Sequence, residues 1–183
     1  GSAVYIARRA LQEATKAYDG RREYTVLVDI IPRALGFGGL EEVSFSMMTM
    51  RLSLIELAKI APSVAEAAAN GDRAAMEVIE EAGRELALLA IACLRKLKLK
   101  HGLVGASGGV FKCKGLLWNT FKSTITSVYP YIEITDPIYG WQPAAGAIFL
   151  AAYEKGVRIG RENLSRLMEA IRVEEGRLSG VSI

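Results

Sequence analysis

The sequence predicts a helix-rich α/β fold, and three observations point to it. Through about residue 97, apolar residues recur at three-and-four spacing between glycine stops, which is the period of helices packed by one face. Beyond His101 the texture changes to short β-rich runs alternating with helical segments: Leu103 to Ala106, a helix from about Lys112 to Val128, Tyr131 to Thr135, and a helix from Pro143 to Lys155. That order predicts two parallel strands joined by a right-handed crossover. Finally, two convincing strands are few for an α/β domain of 183 residues, and such a pair leaves both edges unpaired, so strands are expected to be missing from the chain.

The elements follow in order. Ala3 to Tyr18 reads as a helix stopped by Asp19-Gly20, and about Tyr24 to Leu35 as a second one stopped by Gly36, with Pro32 inside it. After Phe37-Gly38-Gly39 come a short helix near Leu40 to Met47 and another from about Ser53 to Ala69, interrupted or kinked at Pro62 and stopped by Asn70-Gly71. Asp72 is placed to cap a long helix from Arg73 to about Leu97. Its apolar positions Ala75, Val78, Ala82, Leu86, Leu89, Ala90, Cys93 and Leu97 predict a stripe lying against a sheet. A last amphipathic helix is expected over about 160–175, carrying Leu164, Leu167, Met168 and Ile171, with a frayed tail over 178–183. The whole chain, 1–183, reads as a single domain.

Composition narrows the function classes. With 51% hydrophobic residues a proper core is assured, and the formal charge of +3 arises from 23 basic and 20 acidic residues spread in both signs, which argues against nucleic acid. No apolar run approaches the roughly 20 residues of a membrane helix, and the N-terminus lacks a signal pattern. Cys93 and Cys113 form neither a disulfide framework nor a metal-site spacing, so a cytoplasmic location and no metal site are expected.

One stretch carries chemistry. In Leu103-Val-Gly-Ala-Ser-Gly-Gly-Val-Phe111 an apolar run stops at Gly108-Gly109 and a helical pattern begins almost at once. Glycines there admit positive φ and let a ribose or phosphate approach the backbone, while amides opening the next helix would face an anion. By itself, a glycine pair between strand and helix is more often a structural turn.

That Gly-Gly-Val-Phe turn, Pro143-Ala-Ala-Gly-Ala147 opening a later helix, and the start Gly1-Ser-Ala-Val-Tyr-Ile-Ala7 together resemble the N-acetylglucosamine kinase and BadF/BadG/BcrA/BcrD ATPase family. The resemblance runs in order over essentially the whole chain. It implies membership of the actin, sugar-kinase and Hsp70 ATPase superfamily, whose two ribonuclease-H-like domains hold ATP with Mg2+ in the cleft between them. The chain resembles the second domain, lacking its first strands. Adenosine binding carries over onto Ser107, Gly108, Gly109, Val110 and Phe111, with Lys112 reaching the nucleotide. Pro143, Ala144, Ala145 and Gly146 correspond to the connecting helix about which the domains hinge. Gly1 and Ser2 match the end of a Gly-Asp-Glu-Gly-Ser segment at the sugar site, or are the remnant of an expression tag. No catalytic residue carries over: the phosphate loops, the catalytic aspartate and the metal ligands are expected outside this chain. The implied partners are the missing N-terminal half, on the same protein or a separate chain, a sugar substrate and a second copy in a homodimer.

Other residues read more plainly. Arg95, Lys96, Lys98, Lys100 and His101 form a solvated helix end, favoured by the macrodipole. Cys93 reads as core, Cys113 as packing at the start of a helix, and Phe45 with Met47, Met48 and Met50 as gap-filling core in preference to a partner surface. Trp118 and Trp141 read as buried anchors, Tyr5 as a helix-face anchor, and Glu133 with Asp136 as strand end and turn.

The leading expectation is the nucleotide-binding half of an ATP-dependent sugar kinase, transferring a phosphoryl group from ATP to an amino sugar or hexose, with the isolated chain inactive. Two alternatives stand beside it: an ATPase activator of a 2-hydroxyacyl-CoA dehydratase, and a non-catalytic interaction module.

Overall fold

The computed structural model of the chain describes residues 1–113, 115–140 and 142–157, with positions 160, 162, 163, 166 and 169. Leu164, Leu167, Met168 and Ile171 of the expected last helix, the 178–183 tail and Trp141 lie outside the described residues. The chain divides into two units, Gly1–Val104 with Val110–Ile134, and Gly105–Gly109 with Thr135–Ile183.

The first unit is built around helices. α1 (Ala3–Tyr18) starts where the Ser2 hydroxyl accepts the N–H of Tyr5, and its buried residues Ile6, Ala7, Ala10, Glu13 and Ala14 form one stripe. α2 (Leu27–Leu35) begins three residues later than expected and ends at Gly36, whose φ of 76° lets Phe37 N–H reach back to the Pro32 carbonyl at 2.9 Å. α3 (Leu40–Met48) buries Leu40, Val43 and Ser46.

Of the two outcomes expected at Pro62, interruption is the one observed: the segment is two helices, α4 (Leu54–Ala58) and α5 (Ala61–Ala69). Pro62 has no N–H for the Ala58 carbonyl, so the helix stops there and restarts with the proline in its first turn, where that N–H is dispensable. Ser53 and Glu56 cap α4 reciprocally: the Ser53 hydroxyl accepts the Glu56 N–H at 3.2 Å, and Glu56 Oε2 accepts the Ser53 N–H at 2.9 Å. The segment expected to be Met-rich core is instead exposed, with Phe45 58%, Met48 83% and Met50 91% accessible, because α3 spends its buried face on Leu40, Val43 and Ser46.

α6 (Arg73–Lys96) is capped by Asp72 as expected, whose Oδ1 accepts the Ala75 N–H at 2.9 Å. Its buried stripe departs from the expected one. It begins with Ala75, Val78 and Ala82, then passes to Gly83, Ala87, Ile91 and Leu94, leaving Leu89, Cys93 and Leu97 exposed. Three-and-four spacing fits both faces, and the neighbour decides between them. That neighbour is a helix: α6 packs chiefly on α7 (Leu116–Val128) and α5, not on a sheet. The crossing is close at Gly83, where a Cβ would stand 2.7 Å from the Leu117 carbonyl oxygen and 3.0 Å from Thr120 Cβ.

α7 begins four residues later than expected. Gly109–Lys112 forms a short 3-10 turn, and Gly115, at φ 71° and ψ −116°, sets the chain outside helical geometry before Leu116. Phe111 lies edge-on to Trp118 at 5.7 Å and to Phe121 at 5.4 Å, and Trp118 stacks on Phe121 at 5.3 Å; Trp118 is half-buried rather than fully enclosed. β1 (Gly102–Val104) pairs in parallel with β2 (Ile132–Ile134), with Gly102 opposite Ile132 and Val104 opposite Ile134. Both strands are shorter than the sequence suggests.

A buried carboxylate ties the start of the chain together. Glu13, 5% exposed, accepts a hydrogen bond from Lys16 Nζ at 2.7 Å and another from Arg22, with Arg9 at 3.5 Å. Burial pushes its carboxyl up, but the Lys16 and Arg22 hydrogen bonds and charges outweigh that and hold it below its ordinary value of 4.5.

Two outcomes are expected. Gly83→Ala should lower stability by roughly 1–3 kcal/mol in urea unfolding through overpacking, although helix propensity alone would raise it by about 1 kcal/mol. Glu13→Gln should cost about 2 kcal/mol at neutral pH, less than a fully buried pair because its cations keep contact with water. A depressed native pKa stabilises above the unfolded value, so the gap between wild type and this variant should be full above pH 4.5 and close as the pH falls below it, read from urea midpoints across that range.

Candidate functional site

The glycine turn is held by main-chain bonds within the second unit. Ser107 bridges Ile138 in parallel, the Ile138 N–H donates to the Ala106 carbonyl at 3.0 Å, and the Gly108 N–H donates to the Ile138 carbonyl at 3.2 Å. Of the pair, Gly108 takes a φ of 128°, open to glycine, whereas Gly109 has no positive φ and starts the 3-10 turn. The Gly108 amide is therefore already spent, and the expected helix does not follow at once. What the turn offers is bare surface: a Cβ built on Gly108 or Gly109 meets no atom within 4 Å, and Ser107 is exposed. Such a surface suits the flat approach of a sugar or base better than a cradle of amides around phosphate.

The following residues belong to the first unit. Val110 is half-buried, Phe111 is 4% exposed in the aromatic cluster, and Lys112 is exposed. Cys113 is half-buried, and burial pushes its thiol up, so no thiolate is stabilised there. Cys93, expected in the core, is exposed on α6.

In the second unit α8 (Gln142–Glu154) carries Pro143, Ala144, Ala145 and Gly146 in its first turns. Proline is tolerated there because the first amides have no helical acceptor. Ala145 is buried, and Gly146 is open to solvent. Further along, Ile148, Leu150 and Tyr153 are all more than half exposed, an unusual load of apolar surface for one helix.

Gly1 and Ser2 lie in the first unit, with Gly1 against the middle of α6. A Cβ at Gly1 would fall 2.4 Å from Leu86 Cγ and 2.5 Å from the Ala82 carbonyl oxygen, so the close approach to α6 requires glycine. One turn on, the Tyr5 hydroxyl donates to Glu81 Oε1 at 2.7 Å, and Arg9 Nε donates to Glu81 Oε2 at 3.0 Å. Burial and the Glu81 hydrogen bond push the Tyr5 hydroxyl up to about 12, which makes it a fixed donor anchoring α1 to α6. The spacing of Tyr5 and Arg9 one turn apart was visible in the sequence; Glu81, 72 and 76 residues away, was not.

The plain readings of the remaining polar groups stand in the geometry. Arg95, Lys96, Lys98, Lys100 and His101 are exposed, His101 resting at 5.5 Å from the Tyr131 ring; Glu133 and Asp136 are exposed. Among the described residues no three His, Cys, Asp or Glu side chains are grouped to hold a metal ion, and no helix is long and apolar enough to cross a membrane.

Comparison with known proteins agrees with the three motifs. The chain is 27% identical over 156 residues to an N-acetylmuramic acid/N-acetylglucosamine kinase of Clostridium acetobutylicum, covering 84% of this chain and 50% of that protein. It thus spans about half the length of the curated relative it matches. The family model described as "BadF/BadG/BcrA/BcrD ATPase family" matches residues 1–151, from the Gly1-Ser2 pair through the glycine turn and most of α8, and the chain belongs to that family.

Proposed function

We propose that this chain is the adenosine-binding half of an ATP-dependent sugar kinase, with a ribonuclease-H-like fold completed by residues outside it. The observation that carries the reading is the turn at Ser107-Gly108-Gly109: main-chain bonds to Ile138 fix it, and positive φ at Gly108 leaves its surface bare. Family membership supports ATP as the ligand, and the relative's name supports phosphoryl transfer to an amino sugar. By the family resemblance the adenosine side carries over onto Ser107, Gly108 and Gly109 of the second unit and onto Val110, Phe111 and Lys112 of the first. Pro143, Ala144, Ala145 and Gly146, in the first turns of the apolar α8, belong to the connecting helix of the hinge. Gly1 and Ser2 stand on the sugar side.

The phosphate loops, the base that activates the sugar hydroxyl and the Mg2+ ligands come from the other half, on the same protein or a separate chain. Mg2+ would neutralise charge on the transferring phosphoryl group, and this chain would contribute orientation. A homodimer and a cytoplasmic location fit the same reading.

The activator of 2-hydroxyacyl-CoA dehydratases fits less well. A cluster held by thiolates takes four, and two copies of this chain bring two exposed ones at Cys93, since the Cys113 thiol is half-buried and pushed up. The exposed Phe45, Met48 and Met50 favour the second reading, an interaction module without catalysis.

The purified 183-residue chain should phosphorylate no hexose or amino sugar, and sugar phosphorylation by it alone would refute the division of labour. In the protein carrying both halves, Gly108→Val should weaken ATP binding by about tenfold or more, measured by calorimetry, because a β-branched residue cannot hold positive φ without moving the turn. Unchanged ATP affinity would favour the interaction module.

A further inference from the structure

α6 carries a second apolar stripe that its neighbours cover only in part. Ala75, Ile79, Ala82, Leu86, Leu89, Cys93 and Leu97 recur at three-and-four spacing along one face of the helix. Ala75, Ile79 and Ala82 are buried where α1 and α5 pack, Leu86 is half-buried, and Leu89, Cys93 and Leu97 stand exposed. It is one surface, covered over its first half and bare over its second.

The cover stops at Gly1. That residue lies against the Ala82 carbonyl oxygen and Leu86, Tyr5 and Arg9 reach Glu81, and Arg22, beyond α1, reaches Glu77. α1 therefore runs from the middle of α6 toward its start, and the bare half begins level with Gly1. Residues joined to Gly1 on its N-terminal side emerge beside Leu86, at the edge of the uncovered stripe.

The bare half is apolar without interruption. Leu86, Leu89, Ala90, Cys93 and Leu97 fall within a sector of about 100°, and the charges of this stretch, Arg84, Glu85, Arg95 and Lys96, fall outside it. A contiguous apolar face of this kind marks a docking surface. The other apolar face, at Gly83, Ala87, Ile91 and Leu94, is already taken by α7.

Beyond α6 the short link from Leu97 to His101 leads into β1, which pairs in parallel with β2 alone. Parallel strands are covered by helices on both faces, and two strands do not stand alone in water. The first unit is short of strands, and α6 is short of a flat apolar cover. The length is there in the relative named above, of which this chain covers 50%.

We propose that the bare stripe of α6 is the docking face for strands that precede Gly1 in the longer protein, laid with their apolar side on Leu86, Leu89, Cys93 and Leu97. This cover rests on the reading above that the chain is one half of a larger fold; it requires neither ATP nor a sugar.

The test is the rate at which Cys93 reacts with N-ethylmaleimide, read by mass spectrometry of its peptide, in the 183-residue chain and in the protein carrying both halves, without ligands. Cys93 should react fast in the shorter chain and about 100-fold more slowly in the longer one. A thiol placed on the opposite side of α6 by Arg95→Cys, in a Cys93→Ala background, should react alike in both. Leu89→Asp should leave the urea midpoint of the 183-residue chain unchanged and lower the melting temperature of the longer protein by about 5 °C or more, because only there is the charge buried. Equal Cys93 rates in the two proteins, the same protection at position 95, or an unchanged melting temperature would each overturn the proposal. Slow labelling of the shorter chain that quickens on dilution would give the stripe to a second copy and overturn it too. Since no readout uses ATP or a sugar, loss of the kinase reading and loss of this one are told apart.

Discussion

The first unit depends on how closely α7 can approach α6, and that approach rests on Gly83. A side chain there would meet the Leu117 carbonyl at 2.7 Å, main chain that has nowhere to yield. The crossing selects which of two equivalent faces of α6 is buried, drawing in Ala87, Ile91 and Leu94 and leaving Leu89, Cys93 and Leu97 in water. With α7 set, Trp118 and Phe121 form the platform on which Phe111 lands, and the chain beyond Val128 is delivered to β2, where it meets β1 in parallel. A glycine that costs helix propensity is thus kept for what it allows two helices to do.

Much of this was legible in the sequence, and the failures share a cause. α1, α3, the Asp72 cap and the parallel strands could be read from local signals: Ser2 before an apolar period, Asp19-Gly20 after it, alternating texture past His101. Pro62 marked either an interruption or a kink, and the lost N–H with the steric conflict against the preceding turn makes it an interruption. The face of α6, the exposure of Phe45, Met48 and Met50, and the site of Cys93 are decided by neighbours distant in sequence, which periodicity cannot name. The same limit hid Glu81 behind Tyr5 and Arg9.

At the candidate site the glycine pair announced a positive φ but not where its amides are bound. Gly108 has the positive φ that a glycine pair suggests, yet its amide is bound to Ile138, and a 3-10 turn with Gly115 separates it from the next helix. Backbone amides and helix dipole, the usual means of holding phosphate, are therefore displaced from the turn, and uncovered main chain remains. Across the molecule, fixed polar groups are consumed internally by single carboxylates: Glu13 gathers Lys16 and Arg22, Glu81 gathers Tyr5 and Arg9, and Asp72 gathers Thr25, Val26 and Ala75.

The position of α7 late in the first unit has a consequence for the chain as it leaves the ribosome. α1 through α6 are complete at Lys96, while the face of α6 made by Gly83, Ala87, Ile91 and Leu94 is covered only once residues up to Val128 have been made. At a synthesis rate of about 5–20 residues per second the interval lasts roughly 2–6 s. For those seconds the nascent chain exposes a straight aliphatic groove with a glycine at its centre, shaped for a single helix. Chaperone capture, premature cleavage and correct docking compete at that groove, so translational pausing anywhere between Leu97 and Val128 would prolong its exposure.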